Sequence, residues 1–161
     1  MSNDRVCSRI VGYGESQVGR LACIILGNFL QKQLSGKPLV LVVEDGILVA
    51  MAIEDALIDR GMDVAVATTL ANARALVGQR IPDAVLLDLQ LPDGHTLDLA
   101  STLHAQGCAV AFSSAFGEEA VPASHDFAYH FKKPVSADFL ADWVVEALWQ
   151  QQNPQRHGSG S

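Results

Sequence analysis

Two rhythms of apolar residues alternate along this chain. Continuous β-branched and leucine-rich runs occur at Leu39–Val43 and Val85–Leu87, and shorter ones at Met62–Ala67, Ala109–Ser113 and Phe127–Lys132. Runs of four to eight apolar residues that end in polar or turn residues predict strands buried on both faces. Between them the apolar spacing lengthens to that of a helix. Ile47, Leu48, Met51, Ala52, Ala56 and Leu57 form one stripe, with Glu54, Asp55, Asp59 and Arg60 largely opposite and Gly61 as a stop. Leu70–Val77 and Thr96–His104 predict two further helices. Ser136–Gln150 predicts a last one, with Phe139, Leu140, Trp143, Ala147 and Leu148 facing inward.

Strands alternating with helices of this length predict an α/β fold, doubly wound on a five-stranded parallel sheet with the flavodoxin-like strand order 2-1-3-4-5. Residues 37–150 supply this domain. Ahead of it, Val18, Leu21, Ala22, Ile25, Phe29 and Leu30 follow Ser16 at helical spacing, so residues 1–36 are expected to form an extension with an additional N-terminal helix. That helix either covers apolar surface, belongs to a leader, or provides a homodimer contact. Residues 151–161 are polar and end in a Gly-Ser repeat, as a flexible tail or an expression remnant does.

Composition narrows the function. The net charge of −7 and only 11 Lys and Arg exclude a basic nucleic-acid surface. An acidic chain of this kind fits a protein or cation as partner. Cys7, Cys23 and Cys108 have no C-x-x-C spacing and no evident signal peptide precedes them, so reduced thiols and a cytoplasmic location are expected. The longest apolar block, Leu21–Leu30, is far short of the ~20 residues of a membrane span, so no membrane span is expected. Gly12-Tyr13-Gly14 follows no strand and lacks a third glycine at phosphate-loop spacing, so it carries no nucleotide site.

The polar residues fall at the carboxyl ends of the expected strands, where open parallel sheets bind ligands. Glu44 and Asp45 end the first strand, Asp88 the third and Ser113-Ser114 the fourth, while Lys133-Pro134 follows the fifth. The expected strand order makes the first and third strands neighbours, so three carboxylates converge. Such a cluster repels itself unless a cation is present, and a hard divalent ion, Mg²⁺ foremost, suits oxygen ligands. A lysine amine and a serine hydroxyl opposite that ion are what a phosphoryl group requires.

On these residues, 38–149 resemble a response-regulator receiver domain. The matching positions are Glu44 and Asp45, Asp88 within Leu-Leu-Asp-Leu-Gln-Leu-Pro-Asp-Gly, Ser114 with the small Ala115 after it, and Lys133 followed by Pro134. The resemblance implies that Asp88 accepts a phosphoryl group from a histidine kinase or phosphotransfer protein. It further implies that Asp45, Asp88 and the backbone carbonyl of Gln90 hold Mg²⁺, with Glu44 acting through water. Ser114 and Lys133 would then engage the phosphoryl group, and His130, three residues before Lys133, occupies the position of a rotating switch aromatic. Output is expected through a downstream protein target, since no helix-turn-helix or enzymatic segment follows residue 150.

Departures from the family pattern are also present. Gly46 stands where a side chain is common, which predicts a looser start to the first helix, and Phe116–Asp126 is too short and too rich in Gly, Pro and Ser for a regular fourth helix. Phe112-Ser113-Ser114-Ala115-Phe116 resembles the Phe-x-Thr-Gly variant of stand-alone alphaproteobacterial receivers. His95, His104 and His125 are expected as solvated surface residues. A rival reading is a receiver that binds partners without regard to phosphate. An aspartyl-phosphate phosphatase is disfavoured because its second acid, two residues after the nucleophile, is here Gln90.

Overall fold

The β-branched and leucine-rich runs become strands because their side chains can be buried on both faces of a sheet. In the computed structural model, which describes residues 36–153, these are β1 (Leu39–Val43), β2 (Asp63–Ala67), β3 (Ala84–Asp88), β6 (Ala109–Ser114) and β7 (Tyr129–Lys132). A small antiparallel hairpin, β4 (Gln90–Leu91) with β5 (Gly94–His95), follows β3. The helices are α1 (Ile47–Asp59), α2 (Leu70–Gln79), α3 (Leu97–Ala105) and α4 (Ala137–Gln152). The main sheet is parallel throughout, in the order β2-β1-β3-β6-β7, which is the expected 2-1-3-4-5.

Alternation along each strand divides the core into two layers. Val40, Val42, Leu86, Ala111 and Phe131 pack with Ile53 and Leu57 of α1 and Leu140, Val144 and Leu148 of α4. Leu41, Val43, Val85, Leu87 and Phe112 pack with Ala73 of α2 and Leu99, Ala100 and Leu103 of α3. Arg60 ties α1 to α4 by salt bridges to Asp138 (3.2 Å) and Asp142 (2.8 Å). Ser136 caps α4, its side chain accepting from Phe139 N–H.

Several expectations are corrected. On α1 the inward residues are Ala50, Ile53, Ala56 and Leu57, whereas Ile47, Leu48 and Met51 are 64%, 82% and 53% exposed. The helix is apolar nearly all round, so the pattern alone could not tell which stripe meets the sheet. On α4, Phe139 is exposed and Ala141 and Val144 are buried in its place. Gly46 is the N-cap of α1 and offers no side-chain cap; its N–H donates to Glu44 Oε1 (3.1 Å), and a Cβ there would stand 3.1 Å from the same oxygen. Nor is His125 a free surface residue, because its Nε2 lies 2.9 Å from Ser101 Oγ and 3.1 Å from the Leu97 carbonyl, with Nδ1 3.0 Å from Ser124 Oγ. His104 stacks on Phe127 at 4.0 Å between ring centroids. The expected lack of a regular helix between β6 and β7 is borne out: two single 3₁₀ turns, Glu118–Ala120 and Ala123–His125, take its place. The helix expected after Ser16, its homodimer contact and residues 154–161 lie outside the described residues. No helix among the described residues is long and apolar enough to cross a membrane.

Candidate phosphoacceptor site

The strand order reverses between β1 and β3, and there the carboxyl ends leave a crevice. Glu44 follows β1 directly, and its N–H donates to the Ala67 carbonyl (3.0 Å), extending the ladder one residue past the strand. Its side chain is buried, while Asp45 beside it is exposed. Asp88 closes β3. One carboxylate oxygen from each of Glu44, Asp45 and Asp88 lies within 4.8 Å of the other two.

Lys133 reaches this cluster from the far side of the sheet. Its backbone N–H donates to the Ser114 carbonyl (2.8 Å), which fixes the residue after β7, and the peptide bond to Pro134 is cis. The Nζ donates to Glu44 Oε2 (2.7 Å) and to Asp88 Oδ2 (2.8 Å). Burial works against the charge on this amine, but the hydrogen bonds and charges of Asp88 and Glu44 outweigh it, so the Lys133 pKa is raised.

Two bonds orient the Asp88 segment. The Gln90 N–H donates to Asp88 Oδ1 (3.1 Å), leaving the carboxylate tied at one oxygen by backbone and at the other by Lys133. The buried Thr96 donates its hydroxyl to the Asp88 carbonyl (2.7 Å), clamping the end of β3 to the start of α3. Sequence reasoning missed Thr96, which reads there only as the first residue of the expected helix 96–104. Ser114 is 1% exposed, and its Oγ accepts the Phe116 N–H (2.9 Å). Gln90 itself is exposed. His130 sits on β7 beside Phe112, partly buried, and its Nε2 is buried without a hydrogen-bond partner among the described residues.

The donor set suits a hard divalent ion. Three carboxylates against one ammonium leave two uncompensated negative charges. Like charges about 4 Å apart repel by roughly 4 kcal/mol at an effective dielectric near 20, so the cluster favours a cation carrying two charges. All three ligand groups are oxygens, the preference of Mg²⁺.

Comparison with known proteins agrees with this geometry. The family described as the response regulator receiver domain matches residues 40–144. A CheY-like receiver domain from Methanospirillum hungatei JF-1 shares the fold at 22% identity and TM-score 0.66, covering 73% of this chain and 98% of that one. The receiver domain of Francisella response regulator 1452 does so at 24% identity and TM-score 0.62, covering 71% and 98%. Another, from Methylobacillus flagellatus, shows 25% identity and TM-score 0.58, covering 69% and 98%. A search of curated proteins finds no match.

Proposed function

The chain belongs to the response-regulator receiver family, and from that premise we propose that it is a phosphorylation-dependent switch whose acceptor is Asp88. Membership supports a phosphoacceptor role in two-component signalling, with a kinase or phosphotransfer protein as partner. The observation that carries the finer reading is Lys133 Nζ held 2.8 Å from Asp88 Oδ2 at the edge of a three-carboxylate cluster.

The acceptor oxygen of Asp88 attacks phosphorus in line as the bond to the donor's nitrogen breaks, or to its oxygen in a small acyl phosphate. Asp45, Asp88 and the Gln90 carbonyl would hold Mg²⁺, with Glu44 acting through water. The ion would neutralise charge on the phosphoryl oxygens. Lys133 trades its bond to the free carboxylate for one to the phosphoryl group. Phosphorylation adds about −1.5 to −2 charges at Asp88, and Ser114 becomes its hydrogen-bond donor by leaving the Phe116 N–H. His130 then rotates; the unpartnered Nε2 supports this assignment, since that nitrogen has no bond to lose.

A protein donor must cover Asp88 and therefore the start of α1. The exposed Ile47, Leu48 and Met51, within two turns of Asp45, give that donor an apolar surface to pack on. Output follows by contact with a downstream protein.

Incubation with acetyl phosphate and Mg²⁺, read by intact mass, tests the reading. One phosphoryl increment is expected on the native chain and none on Asp88→Asn. A native chain that takes up no phosphoryl group would instead support a receiver that binds partners regardless of phosphate.

A further inference from the structure

A shallow cleft of about 290 Å³ opens between the segments that follow β3 and β6, lined by Leu89, Gln90, His95, Leu97, Phe116 and Ala120. Its volume is at the lower end of the ~300–1,000 Å³ of small-molecule sites, and its open, largely apolar floor suits one or two large apolar side chains. Phe116, 55% exposed, is an aromatic wall. The segments that supply all six lining positions, residues 89–98 and 115–121, contain Asp93, Asp98 and Glu119 and no Lys or Arg, while Asp88 just before them is bound to Lys133. Asp93, Asp98 and Glu119 are exposed.

We infer that this cleft docks a segment of a partner protein carrying one apolar anchor side chain flanked by lysines or arginines, and that the unmodified chain holds it while phosphorylation releases it. The anchor fills the apolar floor, and the basic flanks meet the acids that adjoin it. The release step follows from how the Phe116 wall is fixed. At one end the Phe116 N–H donates to Ser114 Oγ (2.9 Å), and at the other His125 ties the connection to Ser101 and Leu97 of α3. When Ser114 turns to a phosphoryl group on Asp88, Phe116 loses its tether and the wall no longer stands as the docked segment requires. By linkage, a docked segment opposes phosphorylation by the same factor. This coupling rests on the phosphoryl-switch reading above; the cleft and its charges do not.

The test uses the full chain and a fluorescein-labelled synthetic peptide with one Phe in a run of Lys and Ser, followed by polarisation and by amide shifts. Shifts confined to residues 89–97 and 116–120 are expected. Replacing the peptide's Lys by Glu, or filling the cleft with Ala120→Trp, should each weaken binding at least about tenfold. Should Ala120→Trp lose the native amide spectrum, Phe116→Ala provides the same comparison, with weaker binding expected. Beryllofluoride with Mg²⁺, a phosphoryl mimic, should also weaken binding on the native chain. Unchanged binding to a correctly folded cleft variant, or shifts centred on Glu44 and Asp45, would overturn the docking site. Unchanged peptide binding while the Asp88 amide shows the mimic bound would overturn the coupling and leave the phosphoacceptor assignment standing.

Discussion

Lys133 is the residue on which the free site most depends. It offsets part of the repulsion among Glu44, Asp45 and Asp88, so Lys133→Met should destabilise the chain by roughly 1–3 kcal/mol. This is less than the 3–5 of a fully buried pair, because a quarter of the side chain is exposed. Urea unfolding at neutral pH measures the loss, and added Mg²⁺ should narrow it. The pH dependence has a definite sign. The folded pKa of Lys133 is raised above its unfolded value, so its contribution is fully present below about pH 10.4 and fades as pH rises through the folded pKa. The alkaline limb of the native stability profile should therefore be steeper than that of Lys133→Met, and identical limbs would remove Lys133 from the balance. On the phosphoacceptor reading, Gln90, exposed two residues after Asp88, would order the water that hydrolyses the aspartyl phosphate. Gln90→Leu should leave phosphoryl uptake intact and change its decay, followed by intact mass over time. At this scale the convergence of these side chains was legible, because parallel strands deliver the residues at their carboxyl ends to the crevice: Asp88 closes β3, and Glu44 and Lys133 directly follow β1 and β7. Thr96 was not legible, since a hydroxyl given to a backbone carbonyl leaves no spacing pattern.

Among the elements, the connection between β6 and β7 departs furthest from a regular helix. His125 joins its second 3₁₀ turn to α3 through Ser101 and Leu97, and its other ring nitrogen meets Ser124 within the turn. His125→Ala should cost about 1–2 kcal/mol for these bonds and speed amide exchange across residues 116–126, with the strands unaffected. Uniform exchange over the domain would contradict that local role. The sequence showed that this segment would be irregular, because Gly117 and Pro122 break a helix, but not that a histidine would fasten it. The α1 stripe was misread for a different reason: Ile47, Leu48 and Met51 match Ile53 and Leu57 in hydrophobicity, and only the position of the sheet and α4 separates the two sets. The same surplus leaves on α1 an exposed apolar surface, the one proposed above for the phosphoryl donor. Leu48→Glu should slow transfer from a protein donor several-fold while uptake from acetyl phosphate stays the same, since the small donor needs no helix surface.

Across the whole molecule, the two apolar layers hold the strand ends in register, and the site is a product of that register. Leu87 pairs with Phe112 one step before Asp88 meets Ser113, and Ser113 in turn lies beside Phe131, two residues before Lys133. Acids and amine from distant parts of the chain thus reach one crevice without any local motif joining them. On the phosphoacceptor reading, this crevice takes a phosphoryl group on one carboxylate and not on its neighbours. The most direct measurement is borohydride reduction of the acetyl-phosphate-treated chain, which turns an aspartyl phosphate into homoserine, followed by peptide mass mapping. The structure predicts homoserine at position 88 alone, dependent on Mg²⁺ and lost in Lys133→Met; modification at Asp45 or Asp93 with Asp88 intact would contradict it.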